Sequence, residues 1–288
     1  MPVPRHSSRV LVGISTINRA DILPKGIQSA LAQTYPGVKV TVVDDGSTDA
    51  TPAVAQRFPQ VEWTRWSPNR GYVAARNHMM LRTDADYYVS LDDDAWFLQG
   101  DEIAIAVDIL DKDAAIAAVA YDILSPDRPD AVQRGPQVPT AMFIGCGHVL
   151  RLDAVRRMNG YASFPAFYGG EEKDLCLRLL DAGYQVVKLP GVHVWHEKSE
   201  TVRDLVARHR AGVCNDLAIA LRRTPLAMLP VAMGWKLIRH FQFAWKHRLL
   251  ATYWEAVRAF VGFLPVIWRG RQPVRFATLR LAARLNKG

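Results

Sequence analysis

The stretch "ADYYVSLDDDAWF" (85–97) runs from a strand-like segment into three consecutive aspartates, Asp92, Asp93 and Asp94, and then into two large aromatics, Trp96 and Phe97. Like charges crowded at one point repel, and burying one without a partner is expensive. A turn with solvated charges is the simplest reading of an acidic strand end. Three acids between an apolar run and two aromatics ask for more than that.

Working outward, strand and helix patterns alternate. "RVLVGIST" (9–16) reads as a buried strand and "ADILPKGIQSALAQT" (20–34) as a helix with Ile27 and Leu31 on one face. "VKVTVVDD" (38–45) is a second strand ending in the turn "DDGSTD", with Thr48-Asp49 opening a helix. "VEWTRW" (61–66) is a third strand, "GYVAARNHMMLR" (71–82) a helix, and "ADYYVSL" (85–91) the fourth strand. This alternation predicts an α/β fold with a Rossmann-like, mostly parallel sheet, in which ligands bind at the carboxyl ends of the strands. Both acidic turns fall there. Further on, 114–124 reads as a strand, 140–152 as a strand pair or a strand entering a helix, and 171–183 as a helix stopped by Gly183. "YQVVKLP" and "VHVWH" read as short strands, and from Thr201 the chain reads as helical and basic.

The chain has 288 residues, 49% of them apolar, enough for a sizeable core. Its three cysteines, Cys146, Cys176 and Cys214, have no metal-type spacing and predict a reducing compartment without a disulfide framework. No secretory signal is expected at "MPVPRHSSRVLVGIST", and the apolar runs 225–235 and 259–268 are short for a membrane span of uninterrupted apolar residues. Residues 201–288 hold 16 Lys/Arg against 3 Asp/Glu, a net +13, whereas residues 1–200 hold 20 against 25, a net −5. Such asymmetry predicts two jobs and a domain boundary near 200, with residues 201–288 facing something anionic.

Hard divalent cations take oxygen ligands, and carboxylates beside a phosphate-bearing substrate are a usual way to hold them. Alternate residues such as Asp92 and Asp94 can turn toward one site. "VVDDGSTDAT", "NRGYVAARN", "SLDDDAW" and "YGGEEKDLCLRLLDAGY", in that order and followed by "VWHEKS", resemble the family 2 glycosyltransferases of the GT-A fold over residues 9–200. The resemblance implies an inverting sugar transfer from a nucleotide-diphospho-sugar, UDP or dTDP, to a hydroxyl of a glycan or lipid-linked acceptor. It implies Mn²⁺ or Mg²⁺ on Asp94, with Asp92 and His196 as further ligand positions and Asp92 also touching the donor. Thr16, Arg19, Asp44, Asp45, Arg76 and Asp93 complete the implied donor site, Asp45 matching the residue that reads the uracil edge. Glu171-Glu172 matches the family's acidic pair, with Glu172 favoured as general base over Glu171. Near a helix N-terminus a carboxylate is stabilised as the anion, which suits a base. His148 and the aromatic run 164–170 are candidates for the acceptor side.

Two other readings stand beside this one. A sugar-nucleotide nucleotidyltransferase shares the sheet and acidic site, but "GISTINR" lacks the glycine-rich basic loop such enzymes carry. A non-catalytic binder of anionic polymer would use the basic tail and leave the acidic motifs unexplained. In the tail, basic residues alternate with aromatics at helical spacings, Trp235, Ile238 and Phe241 flanked by Lys236, Arg239 and Lys246. No nucleic-acid recognition motif accompanies them. The expectation is a peripheral helix set on the cytoplasmic face of the membrane, with aromatics in the interface and cations at anionic headgroups.

Overall fold

The computed structural model describes residues 8–164, 169–197 and 205–286. They fall into two compact units, one drawn from 1–160 and 183–198, the other from 161–182 and 199–288.

The first unit is built on β1 (Val10–Thr16), β2 (Lys39–Asp44), β3 (Glu62–Arg65) and β4 (Tyr87–Asp92), paired in parallel in the order β3-β2-β1-β4. Their apolar runs are buried on both faces, as a parallel sheet covered by helices requires: Val12, Ile14, Val42, Val89 and Leu91 have no exposed surface. The helices are α1 (Leu23–Leu31), the single turn α2 (Thr51–Val54), α3 (Tyr72–Arg82), α4 (Glu102–Lys112) and α5 (Leu152–Arg157). Pro24 opens α1, where its missing N–H costs nothing, and Leu23, Ile27 and Ala30 bury one face. Burial of Leu23 and of Ile27 each stabilises by about 1.5–3 kcal/mol. At Gly26 any Cβ would stand 2.8 Å from the Ala95 carbonyl oxygen, so this residue lets α1 close onto β5 (Ala95–Phe97), just after the three aspartates.

Beyond β4 the sheet turns mixed. β8 (Gly147–Arg151) runs antiparallel to β4 and to β6 (Ile116–Leu124), while β6 runs parallel to β9 (Gln185–His196). β9 also pairs antiparallel with β5 and with the two-residue β7 (Val138–Pro139). The two short strands expected at 184–196 are thus one strand, with register shifts against β6 and Gly191 at φ 73°. The segment 140–152 is a strand entering a helix. Helix α4 was not legible. Ile103, Ile105, Val107 and Ile109 alternate with smaller or charged residues, which mimics a strand, yet Ile103, Ala106, Val107 and Leu110 bury a helical face. Its N-terminus is fixed by Glu102, a buried carboxylate accepting from the N–H groups of Leu98, Gln99 and Gly100 at 2.6–2.8 Å and from Gln33 Nε2 at 2.8 Å.

The second unit is helical: α6 (Glu171–Asp181), α7 (Leu205–Arg223), α8 (Leu229–Lys246), α9 (Leu250–Arg269) and α10 (Phe276–Leu285). Val213, Leu217, Leu221, Tyr253, Ala256 and Phe260 form the centre of its core. Helix α6, read from sequence with the first 200 residues, sits within this unit. Asp181 near its end accepts from Thr278 Oγ1 at 2.6 Å and from the Arg275 N–H at 2.8 Å, tying it to α10. Helix α9 joins the short apolar stretch 259–268 to the residues before it. Among the described residues it is the one helix long and apolar enough to cross a membrane by length and composition, with a mean hydropathy of 1.3 and 28% of that window buried.

Candidate active site

Parallel pairing brings three strand ends together. Thr16 of β1 lies opposite Asp44 of β2, and Ser15 lies opposite Asp92 of β4, so β1 ends between the two acidic turns. The Asp45 N–H donates to the Thr16 carbonyl at 2.9 Å. Asn18 then adopts a left-handed backbone, and its Oδ1 accepts from the Thr48 N–H at 2.8 Å. The Arg19 N–H donates to Thr51 Oγ1 at 2.8 Å, which fixes the base of the Arg19 side chain.

Each aspartate of the run has its own partner. Arg76, itself 3% exposed and lying over the Tyr72 ring, places Nη2 2.5 Å from Asp92 Oδ1. Arg19 Nε lies 3.5 Å from Asp93 Oδ1, and the Ile17 N–H donates to Asp93 Oδ2 at 3.3 Å. His196 Nε2 lies 3.1 Å from Asp94 Oδ1 because β5 pairs with β9 at Ala95 and His196. The repulsion is only partly relieved. Desolvation, then Asp94, push the Asp93 carboxyl up to about 7, with Asp92 adding to the rise and Arg19 opposing it. Asp94 thus shares His196 with the neighbourhood of Asp92, carboxylate and imidazole being donors suited to a divalent cation, and a cation would discharge this crowding. Lys25 Nζ stands 4.9 Å over the Trp96 ring, whose centroid is 6.3 Å from that of Trp195. These rings form one wall beside the cluster.

On the other side of β1, Asp45 is turned to its own chain. Its two oxygens accept from the N–H groups of Arg70 and Gly71, both at 2.7 Å, and so shape the entry to α3. Asp44 Oδ1 accepts from the Ser47 N–H at 2.8 Å. Its buried Oδ2 has no hydrogen bond, with Arg65 Nε 3.5 Å away.

Sequence reasoning missed Cys146. It is fully buried, and its thiol comes within 4.8 Å of ligand atoms of both Asp92 and His196. Burial, reinforced by Asp92 and Asp94, holds the thiol well above its ordinary pKa. A cysteine in the apolar run "AMFIGCG" reads as core, and only the pairing of β4 with β8 brings it beside the aspartates. His148 is also fully buried, stacked on Phe143 at 4.1 Å, and pushed down to about 3 by burial and Arg76. It is a neutral structural imidazole rather than an acceptor contact. Of the aromatic run 164–170, residues 165–168 lie outside the described residues.

Glu171 and Glu172 belong to the second unit and open α6, behind Gly170 at φ 103°. Glu171 is 1% exposed and Glu172 half-buried. Their helix is anchored by Asp174, fully buried, with Oδ2 2.7 Å from Arg178 Nε and Oδ1 2.6 Å from Arg223 Nε. On α7, Asp216 gathers Lys173 Nζ at 2.8 Å, Lys236 Nζ at 3.1 Å and His240 Nε2 at 3.2 Å, and its carboxyl is held well below the usual range by the His240 hydrogen bond and the two lysines. Lys236 therefore faces inward rather than flanking the aromatic stripe of α8.

A sheet with a parallel wing, a mixed remainder and acidic turns at the carboxyl ends of β2 and β4 is the GT-A fold of nucleotide-sugar-dependent glycosyltransferases. The chain superposes on the mannosyltransferase PcManGT from Pyrobaculum calidifontis, determined in complex with GDP-Man and Mn²⁺, with a TM-score of 0.63 at 20% identity, covering 100% of this chain and 82% of that one. The protein belongs to glycosyl transferase family 2, whose model matches residues 11–154, and the model of glycosyl transferase family group 2 matches residues 117–277. It is 26% identical over 198 residues to the pre-mycofactocin glycosyltransferase of Mycobacterium tuberculosis, covering 62% of this chain and 41% of that protein. It is 36% identical over 95 residues to the succinoglycan biosynthesis protein ExoU of Rhizobium meliloti, covering 32% and 28%. The matched segments span less than half the length of these relatives.

Proposed function

We propose that this glycosyltransferase moves a sugar from a nucleoside-diphosphate donor, UDP- or dTDP-linked, to a hydroxyl of a glycan or lipid-linked acceptor, with inversion at the anomeric carbon. The observation that carries the reading is the run Asp92–Asp94 at the end of β4, with Arg76, Arg19 and His196 each set against one carboxylate. Asp94, with Asp92 and His196, would hold Mn²⁺ or Mg²⁺. When bound, the cation supplies Lewis-acid neutralisation of charge developing on the leaving diphosphate. That the neighbouring mannosyltransferase fold carries Mn²⁺ supports this assignment.

The residues of the chain do the rest. Arg19 and Arg76 bring cationic groups to the donor phosphates, and Arg76 also holds Asp92 in one orientation. Asp44 contributes an acceptor for a base N–H, while Asp45 acts on the base through the loop it shapes at Asn69–Gly71. Glu172, the more exposed of the acidic pair, takes the proton from the acceptor hydroxyl, and Glu171 supports the helix start. Single displacement needs one such base and no covalent sugar–enzyme intermediate.

The second unit serves a membrane-proximal acceptor. Val231, Trp235, Ile238, Phe241 and Trp245 form an exposed stripe on α8, with Trp235 62% and Trp245 68% exposed, and α9 exposes Trp254, Phe263 and Trp268. With the net charge of +13 around them, these aromatics fit the interface of an anionic bilayer, each nearby Lys or Arg being worth about 1 kcal/mol. A peripheral position at the inner face of the cell membrane follows from this reading, and the likeness to a succinoglycan biosynthesis protein supports it. The test is a panel of nucleotide sugars incubated with the protein and Mn²⁺. Release of nucleoside diphosphate supports the reading. Release of pyrophosphate from a nucleoside triphosphate and sugar phosphate would replace it with nucleotidyl transfer, and neither product would leave a binding protein.

A further inference from the structure

Three strand ends place a sulfur among the oxygen and nitrogen donors of the cluster. Asp92 is the last residue of β4 and His196 the last of β9. Cys146 directly precedes β8, and because Leu91 pairs antiparallel with Gly147, the register sets Cys146 beside Asp92. One ligand atom from each of Asp92, Cys146 and His196 lies within 4.8 Å of the other two. A tetrahedral zinc ion, with Zn–S of about 2.3 Å and Zn–N or Zn–O of about 2.0–2.2 Å, holds its ligands roughly 3.5 Å apart. The three atoms thus need to close by at most about an ångström. Asp94 Oδ1 lies 3.1 Å from His196 Nε2, at the edge of this group. Arg76 engages Oδ1 of Asp92 and holds that carboxylate beside the group.

We infer that Cys146, with Asp92 and His196, forms a thiolate-containing site that captures a borderline-soft divalent cation, Zn²⁺ or Co²⁺, in competition with the hard ion of the transfer reaction. The inference rests on the reading of this cluster as a cation site and extends it by one ligand and one class of metal. Mg²⁺ and Mn²⁺ are satisfied by carboxylate and imidazole and gain little from sulfur, whereas zinc and cobalt gain a thiolate bond. Binding is a ligand exchange: the Cys146 S–H bond breaks, the sulfur bonds the metal, and the proton leaves to solvent. Zinc held in this way shares Asp92 and His196 with the ion of the transfer reaction and therefore inhibits transfer.

The test uses the full chain, stripped with a chelator and titrated with Co²⁺, and reads the near-ultraviolet sulfur-to-cobalt charge-transfer band. The expected result is a saturable band in the wild type that Zn²⁺ abolishes. It is absent in Cys146→Ala and Cys146→Ser, and present in the double variant Cys176→Ala/Cys214→Ala, whose cysteines belong to the second unit. Zn²⁺ affinity in Cys146→Ser falls by at least about tenfold, while Mn²⁺ affinity measured by calorimetry is unchanged. A wild type without the band overturns the inference, whether or not the variants fold, as does a band that survives in Cys146→Ala. If Mn²⁺ binds and nucleotide binding follows it but no band forms, only the thiolate assignment fails. If no divalent cation binds, the cation reading of the cluster fails with it.

Discussion

Replacing Asp174 with Asn should loosen the helix that carries the acidic pair. Asp174 is fully buried and faces two guanidiniums: Arg178 Nε at 2.7 Å, and Arg223 with Nε at 2.6 Å and Nη2 at 3.1 Å. Those arginine side chains are themselves only 9% and 6% exposed. Asparagine keeps the shape but removes the negative charge, leaving two buried cations side by side. Breaking a buried pair by removing one partner costs about 3–5 kcal/mol, against about 0.2–1 kcal/mol for an exposed pair. Arg223 Nη1 also donates to the Gln272 carbonyl at 3.1 Å, which disperses part of its charge, so the lower end, about 3 kcal/mol, is expected. At about 2–4 °C per kcal/mol this lowers the midpoint of thermal unfolding by roughly 6–12 °C. Chemical denaturation followed by circular dichroism gives the free energy, and the triple replacement Asp174→Leu/Arg178→Met/Arg223→Met should recover most of it, because an apolar substitute removes the unpaired charges along with the pair. Since Asp174 sits one turn from Glu171 and Glu172, the proposed base pair, kcat should fall in Asp174→Asn while donor affinity holds. A loss below about 1 kcal/mol would refute the buried-triad reasoning.

Other substitutions probe the remaining parts. Asp94→Ala should abolish transfer, and Asp93→Ala should be milder because Asp93 is turned toward Arg19 and the Ile17 N–H; equal losses in initial rates of nucleoside diphosphate release would contradict that division. Glu172→Gln should lower kcat by roughly 10²–10⁴ with donor affinity nearly intact, and the same pattern in Glu171→Gln instead would reverse the order of the pair. Trp235→Ser combined with Trp245→Ser should weaken co-sedimentation with anionic vesicles while leaving unfolding unchanged, since both rings are exposed; binding indifferent to these changes, to anionic lipid and to salt would make the helices a structural cover only.

Most of the parallel wing was legible because its strands are short apolar runs ended by acidic or glycine turns, and β1, β2 and β4 appear within two residues of where those turns place them. Asp92, Asp93 and Asp94 could be read because three adjacent like charges have few bland explanations. The resemblance named Arg19, Arg76 and His196, but which carboxylate each one faces could not be read, because the contacts form across the fold: Arg76 lies on α3, sixteen residues before Asp92, and His196 about a hundred after Asp94, brought there by the pairing of β5 with β9. Cys146 was hidden for the same reason, and its apolar neighbours offered a simpler reading. Helix α4 was lost to an alternation that suits a strand equally well, and the placement of α6 with the C-terminal helices depends on Asp174 and Asp181, whose partners on α7 and ahead of α10 lie far along the chain. Lys236 shows the limit of helical-wheel reasoning: spacing put it near the aromatic stripe, but Asp216 draws it inward.

The central claim is that the carboxylates at the end of β4 hold a cation that carries the donor diphosphate. Calorimetric titration of the wild-type chain with UDP, dTDP and GDP, each in Mn²⁺ and in chelator, tests it most directly. The account predicts that at least one nucleoside diphosphate binds in Mn²⁺ and loses at least about tenfold in affinity, near 1.4 kcal/mol, when the metal is removed. Equal affinity with and without the metal for every nucleotide that binds would contradict it.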